Sequence, residues 1–197
     1  MLRFLCAMVL AWLTSSSVWA QACDVCGKPI ASLDQPIKLA GTWLFTRDDR
    51  PENAQPGLDT KDWVVIKAPG PWKKAYADKQ VYSVGWYRGS FEFAPALVGT
   101  EVVLLVNTYM APMQVYVNGK QVYQRPHHVN IERYYSIQAA PVRFVVPQGR
   151  VELALRIDTP LMTGVYQLPF ELHRFDPHDK SLVGWAVWGG ELRVTVG

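Results

Sequence analysis

Residues 85 to 93 alternate in polarity. Tyr87, Phe91 and Phe93 fall on one face with Gly89 among them; Trp86, Arg88, Ser90 and Glu92 fall on the other. A period of two predicts a strand with one face buried. Val151–Asp158 repeats the pattern, with Val151, Leu153, Leu155 and Ile157 set against Glu152, Ala154, Arg156 and Asp158. Glu101–Asn107 is apolar on both faces, as a central strand should be. Shorter strand segments are read at Thr42–Phe45, Trp63–Ile66, Val142–Val146, Phe170–Arg174 and Glu191–Val196. Turn chemistry separates them. The polar stretch Arg47–Lys61 holds Pro51, Pro56 and Gly57, and Pro147-Gln148-Gly149 reads as a turn. Ala68-Pro69-Gly70-Pro71-Trp72 cannot be helix. No amphipathic helix and no internal repeat is found.

The sharpest local signal is Asn118-Gly119 inside Met113–Gln124. Both central residues of a type I′ hairpin need positive φ, which this pair supplies. The predicted register opposes Val117 to Lys120, Val115 to Val122 and Gln114 to Tyr123. Val115 and Val122 then share the inner face, while Tyr116 and Gln121 point outward. Short strands at this spacing predict an all-β chain folded as an antiparallel β-sandwich or jelly roll.

The start of the chain reads differently. Met1-Leu2-Arg3 is basic, Phe4–Leu13 is apolar, and Thr14–Ala20 becomes small and polar. This is the layout of a secretory signal, too short in its apolar core to span a bilayer. The expected organisation is a signal peptide over 1–20, a Cys-containing leader over 21–38 and a β-sandwich over 39–197. Cleavage after Ala22 also fits and would expose Cys23, but Ala20 and Gln21 match a lipobox poorly, so no lipid anchor is expected. No later apolar run reaches spanning length. The expected location is periplasmic or extracellular, in a bacterium.

Of three cysteines, Cys6 leaves with the signal. Cys23 and Cys26 form a Cys-Asp-Val-Cys pair with several readings. A local disulfide suits an oxidising compartment and is favoured. Half of a zinc site fits the spacing but lacks a second pair. A redox pair would need a strand before it and a helix after it, and free thiols remain. Gly27 after Cys26 excludes haem attachment.

Composition changes little. Hydrophobic residues make up 49% of the chain and charged ones 19%, which excludes disorder. A formal charge of +3 is too weak for a nucleic-acid footprint. Catalytic motifs are absent: there is no Gly-x-Ser-x-Gly and no phosphate-cradling Gly-rich loop. His127-His128 is the best metal-like cluster, but neighbours on an extended chain face opposite ways. Glu92, Glu152 and Glu171 sit in alternating strands, expected to face solvent or to pair with Arg88, Arg156 and Arg174. No catalytic residue, metal or cofactor is expected.

Four motifs in order carry a likeness: Gly41-Thr42-Trp43-Leu44-Phe45, Ala68-Pro69-Gly70-Pro71-Trp72, Gly85-Trp86-Tyr87-Arg88, and Val115-Tyr116-Val117-Asn118-Gly119-Lys120. The order resembles the galactose-binding-like jelly roll at the N-terminus of family 2 glycoside hydrolases. It is also similar to the extracytoplasmic sensor domains of bacterial seven-transmembrane receptors with diverse intracellular signalling modules. The stretch 158–166 and the tail Gly184–Gly197 lean toward the sensor branch. The resemblance implies a non-catalytic, carbohydrate-like ligand-binding module, used as a sensor or recognition unit. The alternatives are an accessory domain of a glycosidase, with a hydrolase or membrane protein as partner, and a structural domain that docks a partner through Trp185 and Trp188. A sugar site needs flat aromatic surfaces with planar polar groups around them. The candidate ligand-binding residues are Trp72, Tyr109, His128, Asn130, Arg133, Tyr134 and Tyr135, with Tyr76 and Tyr82 in the same class of loop. Trp43, Trp63, Trp86 and Tyr87 are assigned to the sandwich core.

Overall fold

The computed structural model describes residues 29–78, 80–109, 111–125, 137–159, 164–165 and 167–179. The signal segment, Cys23, Cys26 and the strand expected at Glu191–Val196 lie outside them. The described chain holds ten strands: β1 (Ile37–Lys38), β2 (Gly41–Thr46), β3 (Val64–Ala68), β4 (Val84–Glu92), β5 (Glu101–Tyr109), β6 (Met113–Val117), β7 (Lys120–Arg125), β8 (Ile137–Val145), β9 (Arg150–Asp158) and β10 (Glu171–Arg174). Short 3₁₀ turns at Pro51–Ala54, Trp72–Lys74 and Pro95–Leu97 are the helical elements among the described residues. None is long and apolar enough to cross a membrane.

Two antiparallel sheets face each other. One has four strands in the order β1-β10-β5-β8, the other six in the order β3-β2-β4-β9-β6-β7. The chain is therefore an all-β sandwich, as its alternating pattern predicts. β4 and β9 pair along their whole lengths, Val84 opposite Asp158 through Glu92 opposite Arg150. Their inward residues Tyr87, Phe91, Val151, Leu153, Leu155 and Ile157 are buried with Val102, Leu104 and Val106 of β5. Trp43 sits at the centre with no exposed surface. It packs on Phe170 at 4.7 Å, Phe91 at 5.6 Å and Tyr87 at 6.5 Å between ring centroids. Two glycines of β4 make room for these rings. A Cβ on Gly89 would lie 2.7 Å from the Trp43 ring, and one on Gly85 would lie 2.5 Å from Phe45 and 2.7 Å from Trp72.

Trp86 and Trp63 depart from the core assignment. Trp86 is buried, but on the outer face of the six-stranded sheet, in a separate cluster with Ala54, Ala154, Trp63 and Tyr116. The reason is the polar stretch after β2, which folds back over that face and covers the indole. The hairpin also departs in part. Asn118 and Gly119 have φ of 48° and 80°, as a type I′ turn requires. Beyond Tyr116 opposite Gln121, however, the register shifts and Val115 opposes Tyr123. Val122 is the extra residue of a β-bulge, so it does not pair with Val115. Both Val122 and Tyr123 pack against the main core.

Candidate functional site

Two side-chain clusters carry the chemistry of the described chain, one continuous with the central core and one outside it. The first is built by the β3–β4 connection. After the cis Ala68–Pro69 bond, Gly70 N–H donates to the Val165 carbonyl at 2.8 Å, and Trp72 turns inward. Trp72 stacks on Tyr82 at 5.9 Å and packs against Phe45 at 5.3 Å. The Tyr82 hydroxyl donates to the Trp72 carbonyl at 2.8 Å. Arg47, just past β2, lies over the Tyr76 ring at 4.3 Å and near the Tyr82 ring at 5.6 Å. Its guanidinium grips the Asp78 carboxylate through both oxygens.

Electrostatics follow from these contacts. The Arg47 hydrogen bonds, with the Gln80 N–H, hold the Asp78 carboxyl down at about 2, against an ordinary 3.8. Burial pushes the Tyr82 phenol up to about 12. A carboxylate with a depressed folded-state pKa stabilises the fold above its unfolded pKa, and that contribution is lost as pH falls through the folded value. Thermal stability is therefore expected to begin falling below about pH 4 as Asp78 is protonated, with its contribution gone below about pH 2. In Asp78→Asn that part of the acid decline should be missing; an unchanged acid profile of the melting temperature would refute it.

Gly164 and Val165 seal this cluster from the inside. Val165 N–H donates to the Tyr87 hydroxyl at 3.1 Å, and the Thr108 hydroxyl donates to the Gly164 carbonyl at 3.0 Å. Burial drives the Tyr87 phenol far above its usual range. Gly164 has φ of 53°, and a Cβ there would lie 1.3 Å from Trp72 Nε1 and 2.4 Å from the Tyr87 hydroxyl. Gly164→Ala is expected to cost about 1–3 kcal/mol, from overpacking on top of left-handed strain. Chemical denaturation checks it, with Gly149→Ala, which meets open space at the same sign of φ, as the milder comparison.

The second cluster lies on the outer face of the six-stranded sheet, under residues 47–62. Asp49 accepts from the Trp86 indole at 2.9 Å and from Arg156 at 2.8 and 2.7 Å. The Arg156 hydrogen bonds, and behind them the Trp86 one, hold the Asp49 carboxyl below its ordinary value. Arg88, its side chain 6% exposed, donates to the Asn53 carbonyl at 3.0 Å and is ion-paired with Glu152. Glu152 also accepts from Gly57 N–H at 3.2 Å. The same segment meets the hairpin tip, where a Cβ on Gly119 would lie 2.8 Å from Pro56. Asn118 holds that tip to β9: its Oδ1 accepts from Glu152 N–H at 2.7 Å. The result is a ledge across β4 and β9.

These positions revise several expectations. Trp72 has no exposed surface; it anchors its own loop and offers no face to a ligand. Tyr109 ends β5, and its side chain is outside the described set. His127, His128, Asn130, Arg133, Tyr134, Tyr135, Trp185 and Trp188 fall outside the described residues. Glu152 pairs with Arg88 rather than Arg156, which is taken by Asp49. Glu171 faces His173 at 3.3 Å, not Arg174. Strand-neighbour reasoning missed Asp49 because its partner is 107 positions away in sequence. Among the described residues, no group of three or more His, Cys, Asp or Glu side chains gathers to hold a metal.

No family model matches the chain. It is 23% identical over 133 residues to a Formosa agariphila protein provisionally named a β-glucuronidase, covering 60% of this chain and 12% of that protein. Among solved structures, a glycosyl hydrolase family 2 member from Bacteroides cellulosilyticus superposes with a TM-score of 0.57 and 21% identity, over 72% of this chain and 21% of that one. A Bacteroides uniformis β-glucuronidase gives 0.55 and 19%, over 70% and 18%. The receptor-sensor likeness gains no support from these relatives. This chain spans about a fifth or less of the length of each of them, and its fold is the β-sandwich that the family 2 hydrolase and the β-glucuronidase also contain.

Proposed function

We propose that the chain is a non-catalytic β-sandwich that recognises a saccharide and works with, or as part of, a family 2-type glycoside hydrolase. The observation that carries the non-catalytic half is the state of its carboxylates. Asp49, Asp78, Glu101 and Glu152 are each held by an arginine. Glycoside cleavage needs a carboxylic acid with a raised pKa facing a second carboxylate across the sugar. Here the resolved carboxyl shifts run downward, at Asp49, Asp59 and Asp78. Asp49 ties the segment after β2 to Arg156 of β9, and Asp78 ties the β3–β4 connection to Arg47. The saccharide half is supported by the fold shared with a family 2 hydrolase and a β-glucuronidase. The export expected from residues 1–20 would place the module outside the cytoplasm, where polysaccharide is met.

A thermal-shift screen against a panel of mono- and oligosaccharides tests this. A ligand at a hundred times its Kd adds about 2.7 kcal/mol, a rise of several degrees. Saturable stabilisation by one class of sugar is the expected result. A panel that leaves the melting temperature unmoved, or a glycoside hydrolysed by the purified chain, would overturn the proposal.

A further inference from the structure

The outer face of the six-stranded sheet holds an arrangement that the β3–β4 connection does not. Tyr116 on β6 stacks on Trp86 with ring centroids 5.8 Å apart and planes 25° from parallel. Trp86 is buried while Tyr116 is half-buried. Register places Tyr116 beside Ala154 and Gln114 beside Arg156. The small side chain of Ala154 leaves the space in which the phenol leans across β9 to the indole.

The bulge completes this face. Gln121 and Gln124 are three apart, and on a regular strand they would point to opposite sides of the sheet. The extra residue Val122 resets the alternation, so Gln121 opposes Tyr116 and Gln124 opposes Gln114. Both are exposed, and Gln121 Nε2 donates to Gln124 Oε1 at 3.0 Å. The Tyr116 hydroxyl donates to Gln114 Oε1 at 3.2 Å. One phenol and three primary amides thus share one face, beside the Arg156–Asp49 pair and the ledge of residues 47–62.

The charges decide what suits it. Arg156 is engaged by Asp49 through two hydrogen bonds, with Asp158 also close enough to raise its pKa. Its guanidinium is already matched by carboxylates, which disfavours an anionic ligand. Amides offer donors and acceptors together, as a sugar hydroxyl requires, and a tyrosine ring offers an apolar surface to sugar C–H groups. We propose that Gln114, Tyr116, Gln121 and Gln124, bordered by Arg156 and Asp49, form a binding site for a neutral oligosaccharide lying along β6 and β7. The inference rests on the saccharide-recognition reading above and gives it contact residues on β6 and β7.

Calorimetric titration of the full chain with cellotetraose, mannotetraose and galactotetraose tests it, with a glucuronic-acid-terminated disaccharide as the anionic probe. At least one neutral tetrasaccharide should bind saturably. The exposed double variant Gln121→Ala/Gln124→Ala should weaken that binding about tenfold or more with an unchanged melting temperature. Tyr116→Ala should abolish it, while Val145→Ala, at an exposed position on the four-stranded sheet, leaves Kd unaltered. If the neutral sugar binds and the glutamine variant binds equally well, this site is wrong and the recognition reading stands. Binding of the anionic probe alone overturns the neutral assignment. If no probe binds the unmodified chain, this site is overturned, and the reading above is then judged on the wider thermal-shift panel.

Discussion

Glu152→Ala is expected to cost about 3–5 kcal/mol, far more than an exposed strand residue should. Its partner is the cause. Arg88 is buried on β4, the strand that pairs with β9, and it reaches Glu152 and the Asn53 carbonyl. Removing the carboxylate leaves a guanidinium in a poorly solvated place with its charge unmatched. It also removes the acceptor for Gly57 N–H, loosening the ledge. Replacing both partners with apolar residues of similar volume, as in Arg88→Met/Glu152→Leu, should recover much of the loss, because no buried charge remains. Urea denaturation of the two single variants and the double variant measures this. A Glu152→Ala loss below about 1 kcal/mol would mean that the pair is no more than an exposed surface bridge.

The second large effect belongs to Trp43. Trp43→Ala is expected to cost about 3–5 kcal/mol, a substantial part of a domain's whole stability. The indole fills the space between the sheets and touches Tyr87, Phe91 and Phe170, and its N–H donates to the Leu39 carbonyl at 3.2 Å. Truncation leaves a cavity walled by rings that cannot collapse into it. Gly89, whose missing side chain admits the indole, gives the complementary test. Gly89→Ala should destabilise the native chain by overpacking, and the penalty should shrink in the Trp43→Ala background. Additive costs would show that the two residues do not share one space.

Sequence pattern carried the sandwich because β4 and β9 are long with faces that differ sharply, while β5 is apolar on both faces as a central strand should be. The alternation of Tyr87 with Arg88, or Leu153 with Glu152, leaves one way to bury the chain. The Asn118-Gly119 turn was legible for the same kind of reason, since few dipeptides accept two positive φ values. What stayed hidden depends on contacts distant in sequence. Trp86 and Trp63 looked like core residues by composition, but their burial comes from a loop folding over the outside of the sheet. The bulge at Val122 has no glycine to mark it; it follows from Val122 and Tyr123 both packing against the core. Trp72 read as a ligand contact because it follows prolines in a loop. That loop is anchored by the same ring, which Gly85 and Gly164 leave room to bury. The resemblance to family 2 hydrolases rested on motifs whose visible roles here are structural, namely Trp43, Arg88 and Asn118. It therefore conveyed fold better than function.

Whether this sandwich recognises sugar without cleaving it is decided most directly on a single sample. Purified chain would be titrated with a neutral oligosaccharide while the mixture is assayed for released reducing ends. Saturable binding with the oligosaccharide recovered intact is the predicted outcome; accumulation of shorter sugars, abolished by changing one of the arginine-held carboxylates to its amide, would contradict it.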